Sequence, residues 1–313
     1  MENIRAGVLD VESGHLHASW LEARLRERWP DIRTEIKWFP ARPRRAGKGS
    51  SGREIPIREF FSEPIYQALL RDEIDVGLHR MKDLPAPLPP KTRLVAITER
   101  KTPLDVLVTK DGSILDELPE GARIGVSSRR REAQLNRYRS DLRIDFVVGS
   151  LSERIRMVEE GRLQGIVVAA AGIEWRGWQD RVAEVFTAHV CLPAVGQAAL
   201  GILACDGEKA KLAEPLRFLD DPLARTEIEA ERACYEALGA WEGSPVGGLA
   251  RVKGDILRID GCVCSLDGSE ILRDWAEGFP EDPLRTGERL AKKLLDQGAG
   301  EMLLRARKQA GIA

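Results

Sequence analysis

The alternation of apolar and polar positions divides the chain into short strands and helices in a repeating βα order. Residues 4–9 read as a strand, residues 19–29 carry apolar side chains at helical spacing until Pro30-Asp31 ends them, and residues 33–39 return to strand. Residues 41–53 hold Arg42, Arg44, Arg45, Lys48 and Arg53 among Gly and Ser with no apolar period, which predicts a basic loop. A helix through Phe60, Ile65, Leu69 and Leu70 follows, and then the buried strand Ile74-Asp75-Val76-Gly77-Leu78. The turn Arg80-Met81-Lys82-Asp83-Leu84-Pro85 therefore lies at the carboxyl end of a strand, where open α/β sheets bind their ligands.

The alternation restarts after Leu104, with strands over residues 105–109, 123–126, 144–148 and 165–169 and helices over 131–137 and 152–160. Between them, Gly125-Val126-Ser127-Ser128 leads into Arg129-Arg130-Arg131. A small-residue turn that opens a helix exposes backbone N–H groups at the positive end of the dipole, where anions dock. The same residues also suit a plainly capped helix with a charged first turn. Residues 196–203 form a turn and a strand that return to the first unit, so that two crossovers would make a hinge. A helix over 224–238 introduces a smaller region with strands over 252–259, 261–265 and 270–275, the last two joined by an Asp267-Gly268 turn. A final amphipathic helix after Asp282-Pro283 runs through Leu290, Leu294 and Leu295 and stops at Gly298.

A length of 313 residues exceeds what one hydrophobic core fills, so two or three domains are expected. The net charge of -2 removes any global attraction to nucleic acid, and no nucleic-acid partner is expected. No apolar stretch approaches the ~18 to 20 residues of a membrane span, and the amino terminus lacks the apolar core of a secretory signal. The expectation is a cytoplasmic, monomeric protein. Five cysteines without a CxxC pair argue against a disulfide framework or a structural zinc site. His15 and His17, lacking a third ligand, read as part of a solvated turn, and no metal site is expected.

The run Asp75-Val76-Gly77-Leu78-His79-Arg80-Met81-Lys82-Asp83-Leu84-Pro85 closely resembles the signature strand and turn of porphobilinogen deaminases, also called hydroxymethylbilane synthases. Residues 125–135, Ala169-Ala170-Ala171-Gly172-Ile173, Leu192-Pro193-Ala194-Val195-Gly196-Gln197 and Glu231-Arg232-Ala233 resemble further family blocks in the same order. The resemblance implies an α/β fold of two lobes like type II periplasmic binding proteins, joined by hinge strands, with a small α+β domain at the carboxyl end. Residues 1–99 with 190–219 would form the first domain, 100–189 the second and 220–313 the third.

It also implies a chemistry. The family joins porphobilinogen units head to tail, with loss of ammonia, on a dipyrromethane held by a thioether to one cysteine. Each pyrrole carries carboxylates that call for Arg or Lys partners, and a carboxylate is needed to stabilise the cationic azafulvene and move protons. By position, Asp83 matches the catalytic carboxylate. Lys82, Arg130, Arg131 and Arg154 match binders of side-chain carboxylates. Ser127 and Ser128 lie in the matching turn, and Arg176 stands beside Trp175, which replaces a family arginine.

Several positions depart from the family pattern. Leu9-Asp10 occupy the place of an arginine, Arg80 stands where a small serine is usual, and Val148 and Ser150 replace an arginine and an asparagine. The loop Leu238-Gly239-Ala240-Trp241-Glu242-Gly243-Ser244-Pro245-Val246-Gly247 aligns with the attachment loop and puts Glu242 at the cysteine. Dipyrromethane is thus expected to be absent as a thioether, unless Cys234, Cys262 or Cys264 takes over. Three readings follow: a divergent enzyme condensing porphobilinogen, a non-catalytic paralogue binding a pyrrole, tetrapyrrole or other carboxylate ligand, or a separate chemistry on another substrate with Glu242 and Asp83 as a carboxylate pair.

Overall fold

The computed structural model describes residues 3–41, 45–48, 54–57, 63–207 and 214–312. The first α/β unit is built on a five-stranded sheet of β1 (Asn3–Asp10), β2 (Arg33–Pro40), β5 (Val76–Arg80), β6 (Thr92–Ile97) and β12 (Leu200–Cys205). Their order is β2-β1-β5-β12-β6, parallel from β2 to β5, with β12 antiparallel to both of its neighbours. Helices α1 (Glu12–Arg28) and α2 (Glu63–Leu70) pack against this sheet through Leu21, Leu25, Ile65 and Leu69, all of which are fully buried. Helix α1 starts seven residues before the apolar period does, so His15 and His17 lie within it rather than in a turn. His15 meets Asp10 at 2.9 Å and His17 is buried. Within the expected basic loop, residues 45–48 form a strand instead, β3 (Arg45–Lys48), which pairs antiparallel with β4 (Glu54–Ile57); residues 42–44 and 49–53 of the loop lie outside the described residues.

The second unit contains another five-stranded sheet, of β7 (Asp105–Thr109), β8 (Arg123–Val126), β9 (Arg143–Phe146), β10 (Gly165–Ala169) and β11 (Glu184–Val185), in the order β11-β7-β10-β8-β9. Helices α3 (Arg129–Tyr138), α4 (Leu151–Glu159) and α5 (Ala170–Glu174) follow three of its strands. The mixed α/β class expected from the sequence is therefore found in both units.

Residues from Thr226 onward belong to the same compact unit. They form helix α6 (Pro222–Ala237, beginning just before), an antiparallel sheet of β13 (Val246–Lys253), β14 (Ile256–Cys264) and β15 (Ile271–Gly278), and helices α7 (Pro283–Asp296) and α8 (Ala299–Gln309). The reason for one unit is a shared apolar contact: Leu249, Cys262 and Cys264 of this sheet are buried with Ala133 and Leu192. A two-residue turn at Gly254-Asp255 splits the strand expected over 252–259, with Gly254 at φ 60° supplying the reversed backbone that tight hairpins require. Gly298, at φ 100°, ends α7 as expected, but the chain then re-enters the helix α8.

Helix α7 approaches α6 so closely at Gly287 that a Cβ there would lie 2.1 Å from the carbonyl oxygen of Ala230. Gly287→Ala is expected to cost about 1–3 kcal/mol through backbone displacement, read by urea unfolding. Gly300→Ala is its control, because a Cβ at that position meets nothing nearer than 3.5 Å and the helix gains propensity.

Candidate functional site

In the first unit the chemistry gathers where β5 ends. Antiparallel pairing with β12 sets Arg80 opposite Leu200, and the backbone N–H of Met81 donates to Ala199 O at 3.0 Å. Met81 is 1% exposed and sits over Gly201, where any Cβ would come within 2.4 Å of the Met81 sulfur. This anchor tightens Met81–Asp83 into a single 3-10 turn that folds Asp83 inward, to 7% exposure. Arg80 Nε donates to Asp83 Oδ2 at 2.5 Å, while Asp83 Oδ1 is buried with no hydrogen-bond partner among the described residues. Such an acceptor costs about 1–3 kcal/mol when left unsatisfied. His79, one residue before Arg80, is also buried. Burial holds its imidazole neutral, with a pKa lowered to about 4, although the negative Asp83 opposes the shift. Lys82 is half-buried at the same turn.

In the second unit, β8 ends in the Ser127-Ser128 turn. Gly125 lets that strand lie flush on Leu163 and Ile166, where a Cβ would come within 2.8 and 3.0 Å of their side chains. Ser128 caps α3, its Oγ accepting from Arg131 N at 3.3 Å. Arg130 turns fully inward: its Nη2 reaches Asp105 Oδ2 at 2.7 Å, and its Nη1 donates to Leu192 O and to Cys191 Sγ. Arg131 Nη2 reaches the other oxygen of Asp105 at 2.7 Å, and its Nε is buried with no hydrogen-bond partner among the described residues. Gln197 Nε2 adds a third donor to Asp105, at 2.8 Å. Burial by itself would raise the Asp105 carboxyl, but Arg130 and Arg131 together hold it well below the usual carboxylate range. Arg130 stays charged because Asp105 outweighs its own desolvation.

Arg154, from the first turn of α4, joins this group through Ser127 Oγ, which accepts from its Nη1 at 3.2 Å. Ser127, Ser128, Arg130, Arg131 and Arg154 therefore gather at one end of the sheet. Arg176 lies after α5, donating to Gly172 O at 2.9 Å and stacking 5.4 Å from the centre of the Trp178 ring.

Glu242 occupies an exposed turn between α6 and β13. The turn is fixed from beneath: Tyr235 Oη donates to Trp241 O, and Ser244 Oγ donates to Tyr235 Oη at 3.1 Å. Arg129, the first residue of α3, lies against the same turn, with its Nη1 3.6 Å from where a Cβ on Gly243 would stand. None of the alternative thiols shares this exposure. Cys234 is 5% exposed and Cys262 and Cys264 are 0% exposed. Burial pushes the Cys234 thiol up to about 12, away from the reactive thiolate. Cys262 lies where α3 meets β14, its Sγ 3.6 Å from Gln134 Oε1. Among the described residues, no group of His, Cys, Asp and Glu is placed to hold a metal ion, and no helix is long and apolar enough to cross a membrane.

The two units are thus α/β bodies whose strand ends carry a buried carboxylate in one and a set of arginines in the other. Residues 16–213 match the family model described as "Porphobilinogen deaminase, dipyromethane cofactor binding domain", and residues 225–296 match "Porphobilinogen deaminase, C-terminal domain". The chain belongs to the porphobilinogen deaminase family. It is 42% identical to the porphobilinogen deaminase of Pelotomaculum thermopropionicum over 258 residues, covering 82% of each chain. It is 36% identical to that of Moorella thermoacetica over 311 residues, covering 99% of each. Among solved structures, it is similar to the aliphatic sulphonate binding protein SsuA of Escherichia coli, with TM-score 0.41 and 14% identity over 76% of this chain and 70% of that one. It is also similar to the methionine binding protein MetQ, with TM-score 0.43 and 14% identity over 69% and 90%.

Asp105 and the Arg80–Asp83 pair went unnoticed in the sequence. A signal for Asp105 exists in hindsight, since an acid directly opens the apolar run Val106-Leu107-Val108 and so must be buried with a countercharge. For Arg80 no local pattern announces that its side chain turns back onto Asp83.

Proposed function

We propose that the protein condenses porphobilinogen units with release of ammonia, with Asp83 as the catalytic carboxylate, and that it does so without a cysteine-linked dipyrromethane. The observation that carries the reading is the free Oδ1 of buried Asp83, at the end of the signature strand. A pyrrole N–H supplies the donor this oxygen lacks. When the protonated aminomethyl group leaves as ammonia, the exocyclic C–N bond breaks and the ring becomes a cation, which the adjacent carboxylate stabilises. The α-carbon of the next pyrrole then bonds to the methylene carbon and loses its proton to a base, a role within reach of the same carboxylate.

Lys82, Arg131, Arg154 and Arg176 serve as partners for the acetate and propionate groups, with Ser127 and Ser128 shaping the turn. Arg130 holds the helix start in place through Asp105. Attachment of dipyrromethane as a thioether does not fit the residues present, because the exposed turn offers the carboxylate of Glu242 and the three thiols of the last region are buried. No step is routed through such a bond.

The test is intact mass after incubation with porphobilinogen. Unmodified protein that consumes porphobilinogen and releases ammonia is expected, and an adduct that survives denaturation would contradict the reading. Glu242→Cys places a thiol on the exposed turn and is expected to gain that adduct, since the change buries nothing. A second reading, a non-catalytic paralogue that binds a pyrrole or other carboxylate ligand, draws on the loss of a thiol at the turn. Wild-type protein that consumes no porphobilinogen would favour it.

A further inference from the structure

We propose that Arg80 is a positioning residue for Asp83: it holds one carboxylate oxygen so that the other, Oδ1, is presented to the pyrrole nitrogen. This rests on the reading of Asp83 as the reacting carboxylate. The last torsion of an aspartate lies in a broad well, so packing alone leaves the plane of a buried carboxylate loosely set. The bond from Arg80 Nε to Oδ2 removes that freedom, because a charge-assisted contact is short and directional. Arg80 reaches this oxygen from the last position of β5, three residues before Asp83, with its side chain 26% exposed against 5% for that of Asp83. The arginine therefore stands at the rim and the carboxylate beneath it.

The other neighbours do not supply such a hold. The charged and titratable groups of β5 and its turn are His79, Arg80, Lys82 and Asp83. The facing residues of β12, Leu200, Gly201, Ile202 and Leu203, bring none. His79 is neutral and buried, so it adds no charge, and among the described residues none makes a hydrogen bond to Oδ1. One oxygen thus accepts a charge-assisted bond and its twin accepts none among the described residues, which is the arrangement a single-oxygen acceptor needs. A serine at position 80 would have neither the reach nor the charge to make this contact.

The experiment compares Arg80→Ser and Arg80→Lys with the wild-type chain. Arg80→Ser is expected to lower kcat for porphobilinogen consumption by about 10- to 100-fold, with KM changed by less than about threefold. Arg80→Lys should recover part of kcat, and methylguanidinium added to Arg80→Ser should recover part as well, since the rim is open to solvent. A merely structural role would not respond to a small guanidinium. An independent readout needs no turnover: the 13C carboxyl signal of Asp83, assigned by its loss in Asp83→Asn, should move in Arg80→Ser and return toward its wild-type position with methylguanidinium. Unchanged kcat in Arg80→Ser, or lost activity with no rescue, would overturn the proposal, and so would an unmoved Asp83 signal. If the wild-type chain consumes no porphobilinogen, the functional reading fails and the carboxyl signal alone decides whether Arg80 holds Asp83.

Discussion

Asp83→Asn is expected to lower ammonia release from porphobilinogen by ~10²- to 10⁴-fold while the fold survives. The amide has nearly the shape of the carboxylate and its oxygen still accepts from Arg80 Nε, so the turn keeps its anchor in Met81 and its link to β5. What disappears is the negative charge next to the place where the ring becomes cationic, together with an acceptor able to take a proton. The loss should therefore fall on kcat more than on KM, because an interaction that grows only as charge develops contributes little to ground-state binding. The measurement is initial-rate ammonia release at saturating porphobilinogen, with circular dichroism and a thermal melt as controls on folding. Activity within a few-fold of wild type would remove Asp83 from the mechanism.

The second large effect concerns stability. Asp105→Ala should destabilise the protein by about 3–5 kcal/mol, because it leaves two buried arginines without their anion. Arg130 is 3% exposed and cannot regain water without unpacking the start of α3. Gln197 and Cys191 also lose the acceptor they share. Urea unfolding at neutral pH checks the magnitude. Asp105→Asn keeps the shape and should lose less, though it cannot match both guanidinium groups.

The acid side separates two contributions. The Asp105 carboxyl lies far below its unfolded value of about 3.9, so its contribution to stability is complete above that pH. It is lost as the pH falls further toward the folded value. Asp105→Asn should remove this part of the acid slope. His79 acts earlier: the unfolded imidazole takes up a proton near pH 6.5, and the folded one only at about 4, so stability declines as pH falls through that window. That decline should persist in Asp105→Asn. Urea midpoints measured between pH 7 and pH 3 separate the two, and a variant with the wild-type slope below pH 4 would contradict the role of Asp105.

Much of the fold was legible because it depends on local period. The short apolar runs at residues 76–78 and 166–168 suit strands covered on both faces, and the Gly125 turn into a run of arginines marks a helix start. Element ends were less so. Helix α1 starts at Glu12 because tertiary contact buries Gly14 and His17, residues that no apolar period would include. Helix α8 follows Gly298 without a loop because Met302, Leu303 and Ala306 have an apolar surface to bury against.

The sequence by itself determined the family, the mixed α/β class and the place of Lys82-Asp83 at a strand end. It determined as well that a glutamate, not a cysteine, stands in the Trp241–Gly243 turn. Only the tertiary structure decided how the charges are distributed. Arg130 and Arg131 are adjacent and identical in kind, yet both terminal nitrogens of the first are bonded, to Asp105, Leu192 and Cys191, while the second keeps a buried Nε without a partner among the described residues. Asp105 is 25 residues before Arg130 in the chain, and it meets both arginines because β7 and α3 pack in one unit. The physical reason is range: propensity and period act over a few residues, whereas the pairing of a buried charge is settled by whichever opposite charge the packed chain brings within hydrogen-bond distance.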